Sequence, residues 1–196
     1  RGHTATVRTV LVVDETSDQL LSCGDEKTIR LWDLNSGLQV KQFNGHVSNV
    51  LGLCKVDKNV FVSAGYDTSL KFWNMESGEC IYSIERAHSF RIFSLLYSES
   101  NKILISASND IIKGWDLKMD EADNKKKIEV HFIKFAIRNP FNASSYICSL
   151  AFLDGENDGS RVIVGDYDGN IFIIDVKMGI CVHQVEKVHS AAIQKF

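Results

Sequence analysis

Short runs in which apolar and polar residues alternate are the main pattern of this chain. In the stretch VSAGYDTSLKFWNMESGECIYSIERAH (62–88) such runs are rich in β-favouring residues and are separated by Gly, Asn, Asp and Ser. No stretch has the periodicity and length of a convincing amphipathic helix, so an all-β fold is expected. Tyr66-Asp67-Thr68 and Ser77-Gly78 have the composition of tight turns. The strands predicted around these turns lie near 48–54, 60–64, 69–73 and 79–84.

The pattern recurs along the chain. The segment LSCGDEKTIRLWDLNSGLQVKQFNGH (21–46) has related copies at 62–88, 105–118 and 164–189. The recurrence of such a segment along the chain predicts a repeat architecture in which each unit covers its neighbour. One histidine is absent near Ala143, although the repeat continues through that region. Two series of landmarks mark the units: Trp32, Trp73, Trp115 and Ile174, and His3, His46, His88 and His189.

These landmarks resemble those of the WD-repeat β-propeller family, whose units carry Gly-His and Trp-Asp pairs. Gly2-His3, Gly45-His46, Trp32-Asp33 and Trp115-Asp116 match outright. Departures of one residue occur at Ala87-His88, Val188-His189, Trp73-Asn74 and Ile174-Asp175. The resemblance implies a propeller segment built from four-stranded antiparallel blades. We expect blade 1 at about 6–43, blade 2 at 48–84, blade 3 at 90–134, blade 4 at 146–186, and the start of a fifth at 188–196.

Seven is the usual blade number that the resemblance implies, so the chain is expected to be part of a larger propeller whose remaining blades come from the same longer chain. The alternative is that two chains close one ring. An open arc would leave the outer faces of its terminal blades uncovered, whereas every interior repeat needs cover on both faces. The charged stretch 118–130, the proline-containing stretch 135–145 and the polar stretch 153–160 are expected on loops outside the blade core.

Composition and charge narrow the class of protein. The chain has 44% hydrophobic and 24% charged residues, as expected for a globular protein, and a formal net charge of -3. This charge argues against a general nucleic-acid or membrane-surface binder. Its five cysteines are widely spaced and odd in number. They favour reduced thiols and an intracellular setting, cytoplasmic or nuclear.

Ser63, His46 and Asp67 have the residue types of a hydrolytic triad. Comparable sets recur in the first and third units, with four residues from serine to acid each time. Catalysis needs one such site, whereas a structural network is needed in every blade, so we favour the structural role. The resemblance implies that tryptophan joins this buried hydrogen-bond network. The residues assigned to it are His3, Ser22, Glu26, Trp32, His46, Ser63, Asp67, Trp73, His88, Ser106, Asp110 and Trp115.

The fourth unit departs from this pattern, because Ala143, Val164 and Ile174 replace three of the four network members. We expect both sides of the network to be lost together there, which costs less than losing one partner. The stretch DYDGN (166–170) imitates the start of a calcium loop but has no ligand near the twelfth position, so a hairpin turn is favoured. We predict no metal site and no cofactor.

Without a credible catalytic set, the expected function is that of a noncatalytic scaffold or adaptor for other proteins or peptides. The resemblance implies a partner-binding face formed by the loops leading into each first strand and by the turns that carry the network acid. Tyrosine and arginine, which are enriched at binding hot spots, occur there. Two other hypotheses stay open: a propeller within a larger multidomain enzyme, and a subunit of a nucleic-acid-containing complex. The candidate face residues are Arg8, Asp25, Asn49, Tyr66, Arg91, Phe93, Asn109, Tyr146 and Tyr167.

Overall fold

The computed structural model describes residues 2–13, 18–109, 111–122, 125–142, 144–153 and 159–193 of the chain. Within these residues every helix or strand assigned is a β-strand, and the strands form four antiparallel sheets of four strands each. The strands of each sheet are paired in chain order, as in a propeller blade. The predicted all-β fold of four four-stranded blades is therefore confirmed. The chain divides into two compact units, Arg1–Ile92 and Phe93–Phe196, each with two blades.

The first unit contains blades 1 and 2. Alternation along the strands places every second apolar side chain in the interior; in β3, for example, Ile29 and Leu31 are buried while Arg30 is half-buried. Blade 1 consists of β1 (Val7–Val12), β2 (Gln19–Gly24), β3 (Thr28–Asp33) and β4 (Gln39–Asn44). Blade 2 consists of β5 (Val50–Asp57), β6 (Val60–Gly65), β7 (Leu70–Asn74) and β8 (Cys80–Ile84).

Blades 1 and 2 share one hydrophobic core. Strands β1 and β2 lie against β5, so the facing sides of the two sheets exclude water. Phe43 of blade 1 packs edge-on against Phe61 and Trp73 of blade 2, with ring centroids 5.0 and 5.8 Å apart. Edge-on aromatic pairs add specific contact energy to the buried area. Each blade thus supplies cover that the other needs.

The second unit has the same arrangement. A core from both of its blades includes Ile103 and Phe135 of blade 3 and Val162, Phe172 and Ile174 of blade 4. Blade 3 consists of β9 (Ser94–Ser98), β10 (Ile103–Ala107), β11 (Ile111–Ala122) and β12 (Lys125–Arg138). Blade 4 consists of β13 (Ile147–Phe152), β14 (Arg161–Asp166), β15 (Ile171–Asp175) and β16 (Ile180–Val185).

The charged stretch 118–130 was predicted as a loop, and this prediction is wrong. Strands β11 and β12 stay paired up to Ala122 and Lys125, so nearly the whole stretch is a β-ribbon that continues beyond Ile103, the first residue of β10. The first residues of the stretch 135–145 also belong to β12. The pairing register places residues of opposite charge at facing backbone positions. These pairs are Lys118 with Glu129, Asp120 with Lys127, and Glu121 with Lys126.

Beyond β16, residues 188–193 contain no strand, and 194–196 lie outside the described residues. The backbone bonds that tie 188–193 to blade 4 repeat those made by residues 88–92 to blade 2. This similarity supports the start of a fifth blade, which stays a prediction, as does the total of seven. The bonds run from His189 N–H to Gly169 O (3.2 Å) and Ile193 N–H to Asp166 O (3.1 Å), and from His88 N–H to Thr68 O (3.4 Å) and Ile92 N–H to Gly65 O (3.0 Å).

Candidate functional site

The structure brings the four predicted network residues of blade 2 together. Trp73 Nε1–H donates to Ser63 Oγ (2.7 Å), which lies 2.6 Å from His46 Nε2. His46 Nδ1 lies 2.7 Å from Asp67 Oδ2. All donors are satisfied if His46 carries its proton on Nδ1 and Ser63 donates to Nε2. Ser63 is fully buried and its oxygen is already engaged by Trp73, so this serine is placed as a structural link.

Asp67 fastens two segments of backbone to this network. Its carboxylate accepts hydrogen bonds from Val47 N–H (3.1 Å) and from the Ser69 hydroxyl (2.8 Å). Burial by itself raises the pKa of Asp67, but the hydrogen bond from His46, together with those from Ser69 and Val47, lowers this pKa to about 2. The ionised carboxylate therefore holds the loop leading into β5 against the β6–β7 turn.

Blade 1 has the same arrangement in a more accessible setting. Trp32 Nε1–H donates to Ser22 Oγ (2.7 Å), and His3 Nε2 lies 2.5 Å from that oxygen. His3 Nδ1 lies 2.5 Å from Glu26 Oε1. Burial raises the pKa of Glu26, but the backbone and hydroxyl of Thr4 lead the hydrogen bonds that lower it to about 2. Trp32 and His3 are half-buried, whereas their counterparts in blade 2 are buried.

In blade 3 the structure joins two of the predicted members. Trp115 Nε1–H donates to Ser106 Oγ at 2.8 Å, and both residues are buried. Asp110 lies outside the described residues. His88 is buried within the first unit. The Trp-to-Ser bond is thus the feature that blades 1, 2 and 3 have in common.

Blade 4 contains a buried polar network that the sequence pattern did not predict. Asp166 is fully buried, and its carboxylate accepts from Asn139 Nδ2 (3.0 Å), Asn170 Nδ2 (2.9 Å), Asn170 N–H (2.8 Å) and Asp168 N–H (3.0 Å). These four donors replace the water molecules that the carboxylate loses when it is buried. Val164 and Ile174, which replace the serine and tryptophan, are buried.

One signal in the sequence could have revealed this network. Asp166 faces Ile147 across the strands, at the position where blades 1 and 2 have Gly24 and Gly65. A Cβ at Gly65 would lie 2.0 Å from the carbonyl oxygen of Asn49, so these glycines allow a close backbone approach. An aspartate at such a position needs hydrogen-bond donors, and this requirement points to Asn170, four residues further along the chain.

The candidate face residues all lie at one end of their own blades. In an antiparallel sheet paired in chain order, the loop into the first strand and the turn between the second and third strands share one end. A backbone bond repeated in three blades joins these two segments. It runs from Asp25 N–H to Thr6 O (3.0 Å), from Tyr66 N–H to Asn49 O (2.9 Å), and from Tyr167 N–H to Tyr146 O (2.8 Å).

In the first unit, five of these residues form what we call the unit-1 cluster: Arg8, Asp25, Asn49, Tyr66 and Arg91. Arg8 binds both carboxylate oxygens of Asp25 at 2.7 Å, and Asn49 Nδ2 donates to Asp25 Oδ1 at 2.9 Å. Arg91 donates to the Tyr66 hydroxyl (2.9 Å), and its guanidinium carbon lies 5.1 Å from the centre of that ring. The hydrogen bonds from Arg8 lower the pKa of Asp25. The cluster is therefore ordered yet open, since Tyr66 is 42% exposed.

The second unit carries an aromatic group that we call the unit-2 cluster: Phe93, Asn109, Tyr146 and Tyr167. The ring centroids of Phe93 and Tyr146 are 6.1 Å apart, and those of Tyr146 and Tyr167 are 6.0 Å apart with the planes at 68°. Asn109 O accepts from the backbone N–H of Ile147 at 2.8 Å. Tyr167 is 56% exposed. This cluster offers aromatic surface with hydroxyl groups at its margin.

Cysteine thiols and groups of metal-binding side chains are the other features that bear on possible chemistry. All five cysteines are free thiols, and burial raises the pKa of Cys23 to about 12. No group of three or more His, Cys, Asp or Glu within the described ranges could hold a metal ion. The described part of the chain also contains no helix of the length and hydrophobicity needed to span a membrane.

Comparison with known proteins adds independent information. The model of the family described as "WD domain, G-beta repeat" matches residues 1–33, 37–74 and 78–116, more than half of the chain. The match 37–74 contains β4 of blade 1 and β5, β6 and β7 of blade 2. This sequence repeat therefore links the two sheets of the first unit covalently, and their shared core reinforces that link.

Several known proteins are similar to this chain in sequence. Autophagy-related protein 16 of Arabidopsis thaliana is 25% identical over 186 residues, which cover 93% of this chain and 33% of that protein. Eukaryotic translation initiation factor 3 subunit I of Meyerozyma guilliermondii is 25% identical over 204 residues, covering 96% and 55%. The U3 small nucleolar RNA-associated protein 15 homolog of Xenopus tropicalis is 28% identical over 120 residues, covering 59% and 22%. The chain thus spans about a third of the first protein and about half of the second.

Proposed function

Because the chain belongs to the WD-repeat family, we propose that it is a noncatalytic scaffold or adaptor, which binds other proteins or peptides through the unit-1 and unit-2 clusters. The observation that carries this proposal is a contrast between the buried hydrogen-bonded side chains of each turn and the exposed side chains next to them. Buried networks fix the backbone of each turn, while the adjacent Tyr66 and Tyr167 side chains stand exposed. One relative is by name a subunit of a translation initiation factor, and proteins of that kind work within assemblies.

A noncatalytic role follows from the repetition of the triad-like set. The serine-tryptophan bond is present in three blades, at Ser22, Ser63 and Ser106. A structural link has to be repeated in this way because each of these three blades has a tryptophan N–H to satisfy. Ser63 Oγ is also enclosed, so a substrate carbonyl has no path to it. The five free thiols support an intracellular setting, in the cytoplasm or the nucleus.

The side chains of the two clusters have the properties of binding hot spots. Tyrosine and arginine combine large contact area with hydrogen-bonding groups. Arg91 is held over the ring of Tyr66, and Arg8 is held by Asp25, before any partner arrives. Holding these side chains in place reduces the entropy lost on association. The clusters therefore offer a partly pre-organised surface.

The test compares two triple variants of the purified protein. In the first, Tyr66, Arg91 and Phe93 are replaced by alanine, and capture of partner proteins from a cell extract is quantified by mass spectrometry. We expect loss of capture, since truncating hot-spot residues typically costs about 2 kcal/mol or more each. The urea midpoint of unfolding should change little, because Tyr66 is exposed and the buried networks are untouched.

The control variant replaces three exposed residues at the other ends of the blades. Leu34 and Met178 lie in turns between third and fourth strands and are 53% and 67% exposed, and Lys58 lies between β5 and β6. Alanine at all three positions should leave capture unchanged. If the control variant loses capture while the first variant retains it, the clusters are not the binding surface.

A further inference from the structure

We propose that the unit-1 cluster recognises an acidic segment of a partner protein, and that Asp25 competes with this segment for Arg8. The inference rests on the proposed function and names the chemistry of the partner. Its basis is that two guanidinium groups, those of Arg8 and Arg91, belong to the same hydrogen-bonded cluster as the exposed Tyr66. Arg8, Tyr66 and Arg91 thereby combine two cations with a hydroxyl group.

Arg8 is the more accessible of the two arginines, with 45% of its side chain exposed. It uses Nε and Nη2 to bind Asp25, so only two of its five N–H donors are engaged there. Among the described residues, the carboxylate that binds Arg8 is that of Asp25. It binds in the bidentate geometry that a partner carboxylate would adopt. An incoming carboxylate would share Arg8 with Asp25 or displace it.

Tyr66 connects the two arginines. Its hydroxyl accepts a hydrogen bond from Arg91, so its own proton can be donated to an incoming carboxylate oxygen. Asn49 links Tyr66 to Arg8, because its carbonyl oxygen accepts from Tyr66 N–H (2.9 Å) and its Nδ2 donates to Asp25 (2.9 Å), which binds Arg8. An acidic group at Tyr66 would therefore be within the field of both cations.

The charge of the cluster decides the class of partner. Among the five cluster residues, two guanidinium groups and one carboxylate leave one positive charge, whereas the whole chain has a formal net charge of -3. The adjacent carboxylates of Glu26 and Asp67 are only 11% and 4% exposed and are bound to Arg30 and His46. A local positive site on a negative protein selects short acidic segments. It is poorly suited to a nucleic acid, whose binding depends on neutralising many phosphates in a row. An acidic peptide is thus the favoured ligand, and RNA is the alternative to be tested.

The role of Asp25 determines whether neutralising it strengthens or weakens the binding of an acidic peptide. The substitution Asp25→Asn keeps an oxygen acceptor for Asn49 but removes the negative charge from Arg8. If Asp25 only stabilised the surface, its neutralisation would weaken binding or leave it unchanged. If Asp25 competes with the ligand, its neutralisation strengthens the binding of acidic peptides.

Binding of fluorescein-labelled hexaglutamate to the purified protein is measured by fluorescence anisotropy, with hexaglutamine, hexalysine and oligouridylate as comparison probes. We expect hexaglutamate alone to bind, more weakly as salt is added. Arg8→Gln and Arg91→Gln should each raise Kd about threefold to fivefold, in line with exposed ion pairs, and Asp25→Asn should lower Kd by about the same factor. The matched control Arg161→Gln, at an exposed position of β14, should leave Kd unchanged.

Each other result overturns the inference. Hexaglutamate that fails to bind, hexaglutamine that binds equally well, or an Asp25→Asn variant that binds no more tightly would exclude an acidic ligand in competition with Asp25. Stronger binding of oligouridylate would indicate a nucleic-acid site. If the alanine variant of Tyr66, Arg91 and Phe93 loses partner capture while the charge variants leave hexaglutamate binding unchanged, the proposed function stands and this inference fails. If that alanine variant retains capture, the proposed function fails, and the inference fails with it.

Discussion

The substitution Ser63→Ala removes the oxygen at the centre of the blade 2 network. Trp73 Nε1 and His46 Nε2 then lose their partner, and these residues are only 1% and 7% exposed, so water has little access to either nitrogen. Leaving a buried polar group unsatisfied costs about 1–3 kcal/mol. Two such groups give an expected loss of about 3 kcal/mol in the free energy of unfolding.

Ser22→Ala in blade 1 provides a matched comparison, because it breaks the same pair of bonds. There Trp32 and His3 are less completely buried than Trp73 and His46, so the expected loss is smaller, about 1 kcal/mol. Both variants are unfolded in urea and followed by far-ultraviolet circular dichroism and tryptophan fluorescence. We predict that Ser63→Ala lowers the free energy of unfolding more than Ser22→Ala does.

A double variant tests the bond itself. Trp73→Phe removes the indole N–H, so adding Ser63→Ala to it should cost less than Ser63→Ala costs alone. The reasoning would be refuted if Ser63→Ala changed the free energy of unfolding by less than about 0.5 kcal/mol, or if Ser22→Ala cost as much as Ser63→Ala.

Three further predictions concern other parts of the structure. Because the pKa of Asp67 is lowered from 3.8 to about 2, its contribution to stability is complete above about pH 4 and is lost as pH falls towards 2; urea midpoints should fall across this window, and fall less in Asp67→Asn. Asp166→Ala leaves four N–H donors without their acceptor and should lower the free energy of unfolding by about 3 kcal/mol or more, measured by urea unfolding. Gly65→Ala should lower the melting temperature far more than Gly37→Ala, because its Cβ would meet the Asn49 carbonyl at 2.0 Å, whereas a Cβ at Gly37 contacts nothing within 4 Å and only its φ of +68° is strained.

Strands and turns of the repeats were predictable because their signals are local. Alternation in β7 and the turn residues Tyr66-Asp67-Thr68 are readable within a few positions, and the structure has a strand and a turn there. Positions of face residues were also readable by analogy between units. Their contacts were not, since the bond between Arg91 and Tyr66 joins residues 25 positions apart.

Two features needed information beyond local pattern. The ribbon at 118–130 has the composition of a loop, and it becomes a pair of strands through the backbone pairing of β11 with β12. Asp166 is acceptable in the interior because Asn139, distant in sequence, supplies an amide donor. In both cases the partner determines the structure, and a single sequence does not identify the partner.

Site-specific photocrosslinking tests the central claim, that the exposed residues of the clusters contact partner proteins. A photoreactive benzoylphenylalanine replaces Tyr66 in one variant and Leu34, at the other end of blade 1, in a second. We predict that crosslinked partner proteins appear with the label at position 66, decline when hexaglutamate is added, and are absent with the label at position 34. Crosslinks at position 34 without any at position 66 would contradict the account.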